Sequence, residues 1–481
     1  MLLDGGCTAP VLDSTGDILA LLGDRNTLAR RPAFHLSPAQ SPAELAGYLR
    51  LRHRAFVEEQ GLFTGHDRDD RDDDPRTVVL LARDQRGEIV GGVRLGPVQD
   101  GPDLGWWQGG RLVVAPDARG MHGVGAALVR AACARAEQAG ALRFEATVQT
   151  RTVPLFERLG WRRVRAVSVA ATPHVLMRWP IGRIAALAAA GKAALGPLLA
   201  GLAGPAALGG AGFVGDDGAP VPGTDLIAAC DAIVPAMVDR DPDWAGWCAV
   251  LVNVNDLAAM GATPLGLLDA IGARDPAHAA TILNGLTRAA NAYGVPVLGG
   301  HTQFGVPAAL SVTAIGRAAD AVPGGGGRPG HQVRLTVDLG GGWRPGYGGR
   351  QWDSTSHRTP GELRAMIASV ATARPAAAKD VSMAGIAGTL GMLAEASDCA
   401  AVLDVARVPR PPEAAMGDWL TCFPGFGMLT ADAPGAPALP AGPATGAVCG
   451  ELAAGRGVRL RWPDGELTEA ITAGVTGMGE A

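Results

Sequence analysis

Arg111-Leu-Val-Val-Ala-Pro-Asp-Ala-Arg-Gly-Met-His-Gly-Val-Gly-Ala126 decides how the first part of the chain is read. An apolar run ends at Ala115, and glycines at 120, 123 and 125 strip side chains from the turn. An amphipathic helix then opens with Val124, Leu128 and Val129. The first backbone N–H groups of such a helix have no internal partner and point at whatever lies in front of them. A pyrophosphate suits that position, because it meets free amides and the positive end of the helix together. Glycine spacing alone says little; its place between a strand and a helix gives it weight.

Around this segment the pattern is mixed α/β. Ser41-Pro42-Ala43-Glu44 is a capping box with proline at the first helical position, followed by Leu45, Leu49 and Phe56. Strands are expected at 77–82, 88–95, 111–115, 142–148, 164–170 and 174–179, with a helix at 124–138 and Gly140 as its left-handed cap. The acidic run from His66 to Asp74 reads as a solvated loop, since adjacent carboxylates repel unless a cation joins them. After Pro180 the composition turns rich in Ala and Gly. A second α/β pattern follows, with strands at 225–230, 265–271, 295–298 and 310–315 and helices at 243–260 and 276–292. Pro323 to Gly330, with four consecutive glycines, reads as a linker. The expected domains are therefore a lead-in at 1–40, a first domain at 41–180, and two lobes at 181–325 and 331–481.

Composition narrows the class of protein. The 481 residues are 47% apolar and 19% charged, a globular balance, and the net charge of −5 gives no basic surface for nucleic acid. Seven scattered cysteines without a C-x-x-C pair argue against a zinc site or a disulfide framework. No secretory leader is read at the N-terminus. The uncharged stretch Ala193 to Val214 is long enough to span a bilayer, but Pro197 and Pro205 break it, so a loosely packed helix is expected. A cytoplasmic protein with no membrane or nucleic-acid partner follows. Lys192 and Lys379 are the only lysines, so a phosphate-binding lysine must be one of them.

In the second half, Gly215-Asp-Asp-Gly-Ala219 forms a turn before a strand ending at Asp231. The helix Val252-Asn-Val-Asn-Asp-Leu-Ala-Ala-Met-Gly-Ala262 places Asn253 and Asp256 on one face of an apolar run. Oxygen ligands from a loop, a strand end and a helix suit Mg²⁺, although turn and capping roles account for such residues too.

Residues 40 to 180 resemble the GNAT superfamily of N-acetyltransferases. The likeness rests on Arg54-Ala-Phe-Val-Glu-Glu-Gln60, Ile89-Val-Gly-Gly-Val-Arg-Leu95, the loop quoted first, and Val153-Pro-Leu-Phe-Glu-Arg-Leu-Gly-Trp161. It implies acetyl-CoA as cofactor and transfer to a small-molecule amine. The pantetheine arm would lie along Val113 and Val114, with the pyrophosphate on Arg119, Gly120, Gly123, Gly125 and Ala126. Two positions depart from the family. Arg119 precedes Gly123 by four residues instead of three, and Phe156 stands where a tyrosine often protonates the leaving thiolate. Glu58, Glu59, Glu145 and His122 are all open as the base, Glu145 and Glu58 foremost.

Residues 200 to 480 resemble the AIR synthase superfamily, through the Gly-Asp-Asp turn, Asp231, the Asn-Asp helix, Leu298-Gly-Gly-His-Thr302 and Lys379-Asp-Val-Ser-Met-Ala-Gly385. The resemblance implies ATP, with Mg²⁺ on Asp216, Asp217, Asp231 and Asp256, nucleotide contacts from Asn253 and Asp380, Lys379 on a phosphate, and a homodimer through this half. His301 and Met383 stand where kinase-type members carry Asp. The whole chain then reads as a bifunctional biosynthetic enzyme, an N-acyltransferase joined to a domain that phosphorylates an oxygen. Two alternatives stay open: an acetyltransferase with a non-catalytic nucleotide-binding or dimerising scaffold, and a sensor of acyl-CoA and nucleotide without turnover.

Overall fold

The computed structural model describes residues 33–481 except 122 and 203. It divides into two compact units, Met1–Ile181 and Gly182–Ala481.

Unit 1 is a single seven-stranded mixed sheet with helices packed on it. Its elements are β1 (Phe34–Pro38), α1 (Pro42–His53), β2 (Val78–Asp84), β3 (Ile89–Pro97), β4 (Trp106–Val114), α2 (Val124–Gln138), β5 (Arg143–Gln149), α3 (Val153–Arg158), β6 (Arg162–Val169) and β7 (Thr172–Trp179). The strand order is β1-β2-β3-β4-β5-β7-β6. Residues 34–38, read from the sequence as lead-in, pair antiparallel with β2 and form the sheet's edge. The capping box is present: Ser41 Oγ accepts from Glu44 N–H, and the Glu44 carboxylate accepts from Ser41 N–H. Leu81, Leu128, Phe144 and Met177 anchor the core between sheet and helices.

Unit 2 has two lobes. The first holds α4 (Arg183–Lys192), α5 (Leu195–Leu199), β8 (Ala219–Pro220), β9 (Leu226–Ala232), α6 (Pro235–Arg240), α7 (Pro242–Ala259), β10 (Thr263–Ala273), α8 (Pro276–Tyr293), β11 (Val297–Phe304) and β12 (Ala309–Arg317). Its sheet runs β11-β10-β12-β9-β8. Helix α7 is apolar on nearly every face because it is covered on nearly every face; fifteen of its residues are buried. Gly246 and Gly285 let α7 and α8 approach closely, since a Cβ at either would meet the other helix's backbone at about 2 Å.

The second lobe contains β13 (Gln332–Val337), β14 (Gly342–Trp343), β15 (Trp352–Asp353), α9 (Pro360–Ile367), α10 (Ser369–Ala373), β16 (Ala377–Asp380), α11 (Gly385–Ala396), β17 (Ala400–Asp404), α12 (Met416–Leu420), β18 (Gly427–Asp432), β19 (Thr445–Ala453), β20 (Val458–Arg461) and β21 (Leu467–Ile471). Its large sheet runs β16-β18-β13-β19-β17-β20-β21.

The stretch from Ala193 to Val214 holds only the short α5 and one irregular 3₁₀ turn at Ala207–Gly209. Among the described residues no helix is long and apolar enough to cross a membrane. The expected linker is not one. Gly324 N–H donates to Asp216 Oδ2 (2.6 Å), Gly327 N–H to Ser397 Oγ (3.1 Å), and Ala378 N–H to Pro323 O (3.1 Å). A Cβ on Gly326 would lie 1.8 Å from the Ala376 carbonyl oxygen. The four glycines form a packed strap, and glycine is required there for lack of room rather than for freedom.

Candidate functional site

In unit 1 the parallel pairing of β4 with β5 stops at Gly109 and Ala146. Both strands continue, β4 to Val114 and β5 to Gln149, so a wedge opens between them. A register slip between Gly92 and Arg94 bends β4 here, and Arg111 takes φ = +54°, a left-handed conformation that is strained for a residue with a side chain. Three partners hold it. Tyr48 Oη–H donates to the Arg111 carbonyl (2.8 Å), and the Arg111 guanidinium donates to Asp67 O (2.8 and 3.0 Å) and to Asp69 Oδ2 (2.9 Å).

The glycine loop meets the mouth of this wedge. Gly123 caps α2 with φ = +94°, and no atom lies within 4 Å of where a Cβ would stand on Gly120 or Gly123. Gly125 has only Val114 Cγ2, at 3.8 Å. Gly123, Gly125 and Ala126 thus stand at the helix start, with Gly125 beside Val114. Arg119 is engaged elsewhere, in a forked ion pair with Glu59 at 2.5 and 2.7 Å, and that pairing holds the Glu59 carboxyl below its ordinary value. Glu59 is therefore a partner of Arg119 and not a free base. His122 lies outside the described residues.

Behind the wedge is a cavity of about 600 Å³ with an aromatic wall of Phe56, Phe144, Phe156 and Trp161 and a polar wall that includes Gln108 and His174. Phe156 packs edge-on against Trp161, with centroids 5.3 Å apart. Neither foremost carboxylate serves as a base here. Glu145 is buried, accepting from Arg178 Nε (2.9 Å) and Trp106 Nε1 (3.0 Å), with Arg143 Nε at 3.1 Å. Glu58 is mostly exposed, 3.4 Å from His53 Nε2, and does not line this cavity. His174 is the group that the sequence did not reveal. Its Nδ1 lies 2.8 Å from the Thr172 carbonyl. A carbonyl only accepts, so Nδ1 carries a proton and Nε2 is the ring nitrogen left to accept one. Only the cross-strand pairing of His174 with Gln149 brings the ring to the wedge.

The run His66 to Asp74 departs in part from the expected solvated loop. Asp67 and Asp72 pair with the fully buried Arg52 at 2.7 and 2.5 Å, and Asp69 and Asp72 pair with Arg94. Arginines from α1, β3 and β4 neutralise these carboxylates, and Asp69, Asp70 and Arg71 line the cavity, so this part of the run forms its floor while His66, Arg68 and Asp73 stay exposed as expected of a solvated loop.

In unit 2 the predicted carboxylates share one neighbourhood. Lys379, on β16, is 2% exposed and donates to Asp216 Oδ1 (2.8 Å) and Asp217 Oδ1 (3.1 Å). Burial opposes its charge, but Asp217 and Asp216 outweigh that and raise its pKa. It is an internal counter-ion rather than a free phosphate contact. Asp216 also accepts from Gly324 N–H, and Asp217 Oδ2 accepts from Asp380 N–H (3.0 Å). Asp256, on α7, and Asp380 are pushed well above the ordinary carboxylate range, by burial first and then by repulsion, from Asp380, Asp231 and Asp217 on Asp256 and from Asp217 and Asp231 on Asp380. Burial raises Asp231 and Asp217 as well. Asp380 Oδ1 and Asn253 Oδ1 have no hydrogen-bond partner. Among the described residues, no three His, Cys, Asp or Glu side chains converge on one metal-ligating point. The four expected Mg²⁺ ligands do not form a cage, because Lys379 stands between Asp216 and Asp217.

A further anion site in unit 2 is already filled. Glu395 on α11 accepts backbone N–H bonds from Val475, Thr476 and Gly477 at 2.6 to 2.8 Å, and a longer one from Gly479 at 3.3 Å.

This fold and these sites place the chain between two known groups. The Acetyltransferase (GNAT) family profile matches residues 29–161, and the N- and C-terminal domains of AIR synthase related protein match 215–318 and 345–463. An uncharacterised protein of Synechocystis sp. is 34% identical over 223 residues, covering 45% of this chain and 69% of that protein. A thiamine-monophosphate kinase of Methanospirillum hungatei is 31% identical over 175 residues, covering 35% of this chain and 59% of that enzyme. The structure of T. maritima PurL complexed with FGAR superposes with a TM-score of 0.47 at 18% identity, covering 56% of this chain and 48% of that one. The chain belongs to the AIR synthase-related proteins and carries a GNAT acetyltransferase domain ahead of them.

Proposed function

We propose that unit 1 transfers an acyl group from CoA to an amine and that unit 2 uses Mg-ATP to activate an oxygen of a small molecule. The observation that carries the first half is the wedge between β4 and β5 opening onto the glycine loop at Gly123 and Gly125, where α2 begins. Those amides fit a pyrophosphate, and Val113 and Val114 would flank the thioester arm. Acyl-CoA would supply an activated acyl carbon as its thioester. Phe156 has no proton to give the leaving sulfur, but a thiol of pKa about 8.5 departs without full protonation. His174 Nε2 is the group we assign as base.

For the second half, an excess of buried carboxylate with one unpartnered oxygen favours a cation. Mg²⁺ is usually held by one or two carboxylates, with waters and substrate phosphates completing its shell, so a preformed cage is not required. Asp256, Asp380 and Asp231 fit that role better than Asp216, which the strap and Lys379 occupy. When bound, the ion stabilises charge on a transferring phosphoryl group. Exposed Leu268, Leu298 and Phe304 on β10 and the edge strand β11 support a homodimer through this sheet.

The test is to give the full chain acetyl-CoA with an amine panel, and Mg-ATP separately, following free CoA and ADP. Gly120→Trp should fold normally yet lose CoA retention, and Asp256→Asn should lose ADP formation. ATP binding without ADP in the unaltered protein would make unit 2 a scaffold. Failure to retain CoA would refute the acyltransferase assignment.

A further inference from the structure

We infer that the acceptor amine of unit 1 also carries a carboxylate, and that Arg71 receives it at the closed end of the cavity. The inference deepens the acyl-transfer reading and rests on it. Arg71 sits in the 3₁₀ turn Asp70–Asp72 and lines the cavity. Of the other guanidiniums lining it, Arg94 pairs with Asp69 and Asp72 and Arg111 with Asp67 and Asp69, while Arg52 beneath them pairs with Asp67 and Asp72; Arg151 also lines the cavity, but from an exposed turn after β5, so Arg71 is the half-buried cation without a carboxylate. Among the described residues Arg71 makes no ion pair. Its guanidinium donates to the neutral Gln108 Oε1, and Gln108 Nε2 donates on to Thr147 Oγ1 (3.3 Å). Asp70 shares the rim but is exposed and forms no ion pair with Arg71.

Asp69 and Asp74 are near enough to favour its charge but do not touch it, so this half-buried cation lacks the direct partner that such groups ordinarily have. Burial, then repulsion from Arg94, pushes the Arg71 guanidinium down from its ordinary value. A carboxylate would relieve both effects through a charge-assisted, forked pair.

Position points the same way. Gln108 lies where β4 and β5 are still paired, so the wedge is shut beside Arg71 and open from Gly110 onward. The thioester enters by the open end, which leaves the closed end to the acceptor. With its carboxylate on Arg71, the acceptor lies along the polar wall that carries His174. The amine nitrogen bonds to the acyl carbon and the C–S bond breaks. The ammonium's two lost protons go to the base and, in the end, to the departing sulfur and solvent.

The experiment uses the full chain with acetyl-CoA and matched acceptors, each an amino acid and its amide, followed by CoA release. The acid should exceed its amide by about 10- to 100-fold in kcat/KM, the size of a charge-assisted bond. Arg71→Gln should bring the ratio near one, mainly through KM, and Arg71→Lys should keep part of it. An amide as good as its acid, or a ratio unchanged in Arg71→Gln, would overturn the proposal. If no acceptor turns over, calorimetric titration with the same pairs decides: acid binding that exceeds amide binding and vanishes in Arg71→Gln supports it, and neither binding at millimolar concentration overturns it. A separate acetyl-CoA titration reports on the acyltransferase reading, since loss of CoA binding leaves the carboxylate titration intact.

Discussion

Replacing Gly326 with alanine sets two readings of the tetraglycine segment against each other with opposite signs. In a free linker the added methyl restricts the unfolded chain and stabilises by about 0.4–1 kcal/mol. In the strap, the new Cβ would sit 1.8 Å from the Ala376 carbonyl oxygen, where contacts become ordinary only at 3.4 Å. The obstacle is backbone at the start of β16, so no rotamer change relieves it. Overpacking costs about 1–3 kcal/mol and occasionally more, and this clash belongs at the upper end. A loss of about 3 kcal/mol, against an unfolding entropy of about 2.1 cal/mol/K per residue, lowers the melting temperature by roughly 5 °C in a unit of this size. Thermal unfolding of the full chain, with hydrogen exchange read on β16 and α7 peptides, isolates unit 2. Gly361→Ala is the control, because this helical glycine has nothing within 4 Å of an added Cβ and should gain stability. A Gly326→Ala chain as stable as the unaltered one would refute the packed-strap argument.

Lys379→Met removes the cation between Asp216 and Asp217 and should cost about 3–5 kcal/mol, read in guanidinium unfolding; a loss below about 1 kcal/mol would mean that the pair is solvated. His174→Gln should keep CoA affinity while lowering kcat by about 10²–10⁴-fold, and an unchanged kcat would remove it as the base. The two units should respond to acid with opposite signs. Burial works against ionisation of Asp72, but Arg52 and Arg94 overcome it and hold its carboxyl at about 2, so its contribution is present above pH 3.8 and lost as pH falls toward 2. Asp256 and Asp380 are raised, so their contribution is complete below pH 3.8 and is lost as pH climbs through their folded values. Hydrogen exchange at decreasing pH should loosen α1 and tighten α7, and the same sign in both would contradict these assignments.

Much of the architecture could be read in the sequence because local chemistry and tertiary structure agree there. The capping box at Ser41, the turn before α2 and the helices α7 and α8 all fall within a residue or two of their expected bounds. Misreadings came where a partner distant in sequence changes a residue's meaning. Asp67 and Asp72 look solvated until Arg52, about fifteen to twenty positions earlier, is placed beneath them. Glu145 looks like a base until Arg178 arrives from β7. Four glycines look like slack until the neighbouring backbone is seen to fill the space. Strand β4 starts five residues earlier than expected, since Gln108, Gly109 and Gly110 carry no apolar alternation. His174 follows the same rule, because a register fixed by tertiary pairing leaves no trace in spacing.

The carboxylate of Glu395 sits in the amide cluster at Val475–Gly479 much as a phosphate would. A glycine-rich turn of that kind invites assignment as a nucleotide contact, yet here it comes with its own plug. A bound triphosphate must find its amides elsewhere, unless the glutamate swings out. Glu395→Gln would leave the cluster filled but weaken its grip, turning a closed socket into a latent one.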